Sequence, residues 1–166
     1  RQLLGTTNNI IETKKTLLDG SIHKCYRLTV KSDIMAADLA RYGIVPNKSS
    51  KMKIYPSLIP KSLFRHFIRG IFDGNGSAHV DKNKQLRIKF YGTYDVVQFI
   101  NHYLWQELDV TYRNELSISS SLYQPVYQLE YSKWDDVNKI AAYLYDGATV
   151  FLGRKREVIC NFLAQR

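Results

Sequence analysis

The stretch DGNGS, from Asp73 to Ser77, gathers a carboxylate, a carboxamide and a hydroxyl between two glycines. Oxygen donors this close together suit cation or hydrogen-bond chemistry, and glycines permit tight turns or close backbone approach. One reading is a plain helix exit into a hairpin, which needs no function. A calcium loop is a second reading, and it fails on spacing. Its sixth position should be glycine and is Ala78, and its twelfth should be glutamate and is Lys84. The helix leading into the stretch offers a third. Leu63, Phe67, Gly70 and Gly74 form one seam, with Phe64, Ile68, Ile71 and Asn75 as a second line beside it. A surface helix needs one apolar stripe, and this one has nearly two. One stripe can lie on its own sheet while the glycine seam lets another helix approach closely.

Charge suggests what such a pair of helices would serve. The 166 residues carry 24 Lys and Arg against 15 Asp and Glu, a formal +9. An excess of that size attracts a polyanion, and nucleic acid is the first partner to expect. The third reading is then two helices packed by glycines, each ending in an acidic residue at the base of a DNA-binding sheet. Hydrophobic residues at 45% and charged residues at 23% argue against disorder. Cys25 and Cys160 have no CxxC spacing and no His pair, so a zinc site is not indicated, and both read as buried free thiols. No apolar run reaches transmembrane length, and the first residues do not read as a signal peptide. No membrane partner is expected, and the expected setting is the cytoplasm, in association with the nucleoid. The opening Arg1 marks a possible fragment of something longer.

The elements that must position these residues follow from periodicity and punctuation. Residues 26–30 (YRLTV) alternate as a strand, and Ser32 or Asp33 can cap a helix stopped by Gly43. Residues 44–60 read as a connector and 61–75 as the motif helix. Residues 76–93 read as a hairpin with Leu86, Ile88 and Phe90 on one face and Arg87, Lys89 and Tyr91 on the other. Thr93 or Asp95 starts a helix to Leu108, strands lie near 113–120 and 126–132, and helices near 134–146 and 154–164 close the chain. YRLTV with the helix after it matches YQLEY at 127–131 and its helix, a weak internal repeat that competes with chance similarity. LLGTTNNI at 3–10 could then match the end of the 94–108 helix. On that reading, residues 1–53 are the C-terminal part of a truncated first half and 54–166 a complete half.

FIRGIFDGNGS at 67–77 resembles the LAGLIDADG motif of homing endonucleases, in particular the phage and intein variety that reads FIRG, an aromatic, then FDGDGS. YGIVPNKS at 42–49 resembles the segment preceding the motif, LRIKFYGT at 86–93 the second strand and turn, and YLYDGATVFLGRKRE at 143–157 the closing helices. The resemblance implies an α+β fold, the αββαββα unit with an antiparallel saddle sheet over the major groove. It implies motif helices packed at a symmetry axis, in a homodimer or a pseudo-dimer with an upstream LAGLIDADG half.

It also implies site residues. At the eighth motif position the family places an acidic residue that holds divalent metal, Mg²⁺, beside the scissile phosphate, where the ion activates water and stabilises the leaving oxygen. Here that position is Asn75, which could at most hold metal weakly, with backbone near Gly74. Asp73 takes the sixth position, more structural than catalytic in the family. Lys133 is the candidate basic residue near the site, with Lys31 in the similar place of the first copy; each also reads as a phosphate contact or an exposed lysine. The DNA-facing candidates are Ser77, His79, Arg87, Lys89 and Tyr91, then Gln128, Glu130 and Ser132, with Lys82 and Lys84 at the hairpin tip. Arg154, Lys155 and Arg156 read as a basic helix start.

Three functions fit these expectations: site-specific, Mg²⁺-dependent cleavage of double-stranded DNA with an impaired active site; a DNA-binding module that has lost cleavage; and a maturase acting on intron RNA. Target sequence and host element, intron or intein, are not legible.

Overall fold

The computed structural model describes residues 5–46, 52–120 and 125–165. Positions 3–4 of the expected repeat and 47–49 of YGIVPNKS lie outside the described residues. The chain divides into two compact units, Arg1–Asp38 and Leu39–Arg166, so the boundary expected at 53/54 falls inside the second. No helix among the described residues is long and apolar enough to cross a membrane.

The first unit is a hairpin followed by the start of a helix whose last turn, from Leu39, belongs to the second unit. Strands β1 (Ile10–Thr16) and β2 (Ile22–Leu28) pair antiparallel, with Ile10 opposite Leu28 and Thr16 opposite Ile22. Asp19 closes the turn, its Oδ1 accepting from the Ser21 amide at 2.9 Å and the Ser21 hydroxyl at 2.6 Å. Helix α1 (Asp33–Arg41) starts where Ser32 Oγ accepts from the Met35 amide at 3.2 Å, the first of the two caps the sequence offers. It ends at Gly43, whose φ of +78° is open to glycine at little cost and whose Cβ, if added, would stand 2.1 Å from the Lys53 carbonyl oxygen. A two-stranded hairpin has no second layer of its own. Ile10, Ile22, Tyr26 and Ile34 are accordingly exposed.

The second unit runs α2 (Phe64–Asn75), β3 (Ser77–Val80), β4 (Leu86–Gly92), α3 (Tyr94–Leu108), β5 (Ser117–Ser120), β6 (Val126–Tyr131), α4 (Trp134–Tyr145) and α5 (Gly153–Leu163). The fold class is α+β, an αββαββα order with one further helix. Its four strands are antiparallel in the order β3-β4-β6-β5. Leu86, Ile88, Phe90, Leu129 and Tyr131 point to one face of the sheet and are buried against Ile68, Phe72, Val97, Ile100, Leu104, Ile140 and Leu144 of the helices. Each such side chain contributes roughly 1.5–3 kcal/mol. Thr93 caps α3, accepting from the Val96 amide at 3.4 Å.

Two expectations need correction. Cys25 and Cys160 are free but exposed, not buried. Apolar neighbours in sequence alternate faces on a strand or rotate around a helix, so they do not bury the residue between them. The motif helix also begins later than residue 61, because Lys61–Leu63 after Pro60 form a 3₁₀ turn with no side-chain cap.

Candidate nucleic-acid interface

Because β4 and β6 each turn alternate residues to the helices, the intervening residues share the other face of the sheet. The register arranges them in rows: His79 opposite Arg87; Ser77, Lys89 and Glu130; Tyr91, Gln128 and Ser117. Ser132 extends β6 beside the first row. The DNA-facing candidates on the strands are thus brought together on one face. Lys82 and Lys84 are exposed at the tip of the 81–85 turn, where Lys84 takes φ 56° to close a three-residue hairpin loop.

The cations on this face are not free. Arg87 Nε and Nη2 each lie 2.7 Å from Asp81 Oδ2, and Arg87 Nη1 donates to Glu130 Oε1. Lys89 Nζ lies 3.0 Å from Glu130 Oε2, to which Gln128 Nε2 donates at 3.1 Å. Burial alone would raise the Glu130 pKa, but the hydrogen bonds from Arg87 and Lys89 outweigh it and hold the carboxyl below its ordinary value. A recess of about 280 Å³ opens beside this network, lined by Arg87, Arg113, Glu115, Ser117, Gln128, Glu130 and Ser132. Arg113 was not anticipated from sequence: an arginine before an irregular strand carries no signal of which way it faces.

At the end of α2, Asp73 and Asn75 part company. Asp73 turns inward, Oδ1 accepting from the Tyr145 hydroxyl at 2.9 Å and Oδ2 from the Leu152 amide at 3.0 Å. Burial, and the bond to Asp73, push the Tyr145 phenol up from its usual range. Asn75 is exposed. Lys155 clamps the helix end: its Nζ donates to the carbonyls of Phe72 at 2.6 Å and Asp73 at 2.9 Å, and to that of Gly76. Residues 154–156 do begin a helix, as expected, but Lys155 is only 3% exposed and its charge is turned into the protein. Burial, then neighbouring Arg154, pull its pKa down, and Asp73 pulls it back up. A second buried cation, Arg69, donates to the carbonyls of Val150 at 2.9 Å and Leu144 at 3.0 Å. Gly76 admits no side chain, since a Cβ would lie 2.5 Å from Phe72 Cδ2 and 2.7 Å from the Lys89 carbonyl oxygen.

The glycine seam faces outward. Leu63 is 49% exposed, and a Cβ on Gly70 or Gly74 would meet nothing within 4 Å. Phe67 is partly buried, edge-on to Phe99 at 6.3 Å. The like helix expected across this seam is not supplied by the described residues. An apolar hollow of about 430 Å³ lined by Tyr42, Ile59, Leu63 and Phe67, among others, borders it.

Lys133 is not brought beside Asn75. It precedes α4 at the far end of β6, three residues past Glu130, roughly 10 Å along the strand, with its Nζ 3.1 Å from Thr111 Oγ1. Lys31 lies exposed between β2 and α1. The residues at the end of α2 do not fit a magnesium ion by themselves. Both Asp73 oxygens and the Gly76 carbonyl are engaged, leaving one exposed carboxamide and the Gly74 backbone where a hard cation wants several oxygens and negative charge. No group of three or more His, Cys, Asp or Glu among the described residues could hold a metal ion.

No protein-family model matches the chain, and no curated protein matches it significantly.

Proposed function

We propose that this chain binds double-stranded DNA as a LAGLIDADG-type unit whose own half of the active site holds no catalytic metal. The observation that carries this reading is the sheet face turned away from the helices of the second unit, where Arg87, Lys89, Tyr91 and Gln128, half-buried, and His79, exposed, fall in adjoining rows. A twisted antiparallel sheet of that width suits a major groove, and arginine and glutamine suit base edges. The αββαββα order and the outward glycine seam support the same family. So does the strand-then-helix arrangement that β2 and α1 share with β6 and α4. The seam suits a like helix from a second copy or from an upstream half. Such a protein would work where the DNA lies, in the cytoplasm at the nucleoid.

The test is equilibrium binding to duplex DNA selected from a random library, across a salt series without metal. Binding should weaken steeply as salt rises, by about 0.9 log units per log salt for each phosphate contacted. Failure to bind any duplex at low salt would sink the proposal. Cleavage is a second reading, favoured by the FIRGIFDGNGS resemblance alone. It requires carboxylates from another motif helix, so supercoiled DNA with Mg²⁺ should remain uncut by this chain and be nicked, if at all, only after Asn75→Asp.

A further inference from the structure

We infer that the recess in the open sheet face reads a G·C base pair, with Arg113 as the residue that contacts guanine. The inference rests on the DNA-binding reading above and adds to it one position of sequence preference and the residue that sets it.

Of the two guanidinium groups lining the recess, Arg87 is spent on Asp81 and Glu130. Arg113 makes no hydrogen bond through its side chain among the described residues, and its Nε is shut off from solvent without a partner. Its main chain, by contrast, is fixed. The fully buried Asn101 donates from Nδ2 to the Arg113 carbonyl at 2.8 Å and accepts the Arg113 amide at 3.1 Å, while the Tyr131 hydroxyl donates to the same Oδ1 at 3.2 Å. The guanidinium carbon stands 5.5 Å from the centre of the Tyr131 ring. A fixed main chain and a planar fork that rests on an aromatic ring with its hydrogen-bonding capacity unspent together favour bidentate recognition.

The lining selects what the fork meets. A phosphate in this recess would face the carboxylate of Glu115 as well as Arg113, while Glu130 and Arg87 are already paired with each other. A G·C edge in the major groove instead presents two guanine acceptors, N7 and O6, beside the cytosine amino donor. Arg113 answers the first two and the Glu115 carboxylate the third. The mixture of donors and acceptors in one small hollow therefore suits a base edge better than an anion.

The experiment selects binding sites from a random duplex library with the intact chain, and with Arg113→Gln and Arg113→Lys, then measures binding to the selected site and its single-pair variants. The wild-type chain should require G·C at one position, preferring it roughly ten- to a hundredfold. Both variants should lose that preference while the remaining positions stay unchanged. Arg113→Lys keeps the charge but not the fork, so it covers the case in which Arg113→Gln fails to fold. Uniform weakening across all sequences by Arg113→Gln, with recovery by Arg113→Lys, would identify a phosphate contact and overturn the inference. Unaltered preference in both variants would overturn it too. A wild-type chain that binds no duplex refutes the DNA-binding reading itself, an outcome distinct from either.

Discussion

Two nitrogens of Arg87 converge on one oxygen of Asp81, Nε and Nη2 each at 2.7 Å from Oδ2. The other oxygen of Asp81 accepts the backbone amides of Asn83 and Gln85, both at 2.9 Å. One carboxylate therefore closes the β3–β4 turn and orients a side chain on the open face. The amide of Gln85, then the Arg87 side chain, hold the Asp81 pKa below its usual value. A lowered folded pKa contributes stability that is present above the unfolded value of about 3.9 and lost as pH falls through the folded one. Asp81→Asn should flatten the acid limb of stability below about pH 4, as read by thermal melts over a pH series.

Glu130 ties down two cations at once, Arg87 through Oε1 and Lys89 through Oε2. Glu130→Gln keeps the shape and removes the charge. It should tighten duplex binding at low salt and steepen the slope of log affinity against log salt by about one to two. An unchanged slope would mean that the network does not restrain the face.

Gly76 and Gly70 lie in one motif under opposite constraints. Gly76→Ala should cost about 2 kcal/mol in urea unfolding, since its methyl would collide with backbone and with the Phe72 ring. Gly70→Ala meets nothing within 4 Å and should raise the stability of the single chain by up to about 1 kcal/mol through helix propensity. If a like helix packs on that seam, the same substitution should weaken self-association in sedimentation equilibrium.

Lys155→Met should cost about 3 kcal/mol, because three carbonyls at the end of α2 lose a charge-assisted donor within the protein. Hydrogen exchange should locate the damage at residues 72–77, remote in sequence from the substitution.

The features legible in the sequence were those decided locally. Caps at Ser32 and Thr93 announce themselves within a few residues, and alternation along 86–91 assigns each side chain its face. Strand β1 carries no period-two signal, because IIETKKT sets two isoleucines side by side instead of alternating them. The charge clasp on Arg87 was invisible for another reason. In sequence Glu130 is an outward polar residue, and only the pairing of β4 with β6 shows that its neighbours are the very cations expected to meet DNA. Arg113 and Asn101 are further still from local rules. An asparagine in the apolar run of α3 gives no hint that it fixes a loop twelve residues away.

The reach of Lys155 across 83 positions to the carbonyl of Phe72 has a consequence for biosynthesis. A ribosome releases α2 and β3 long before it releases α5. Until then the carbonyls of Asp73 and Gly76 lack their charged donor, that of Phe72 keeps only the Gly76 amide at 2.7 Å, and the junction of Gly76 with β3 lacks its clasp. The motif helix is thus among the first parts of its unit to be made and its C-terminal turn among the last to be secured, leaving nascent chains with an unlatched centre.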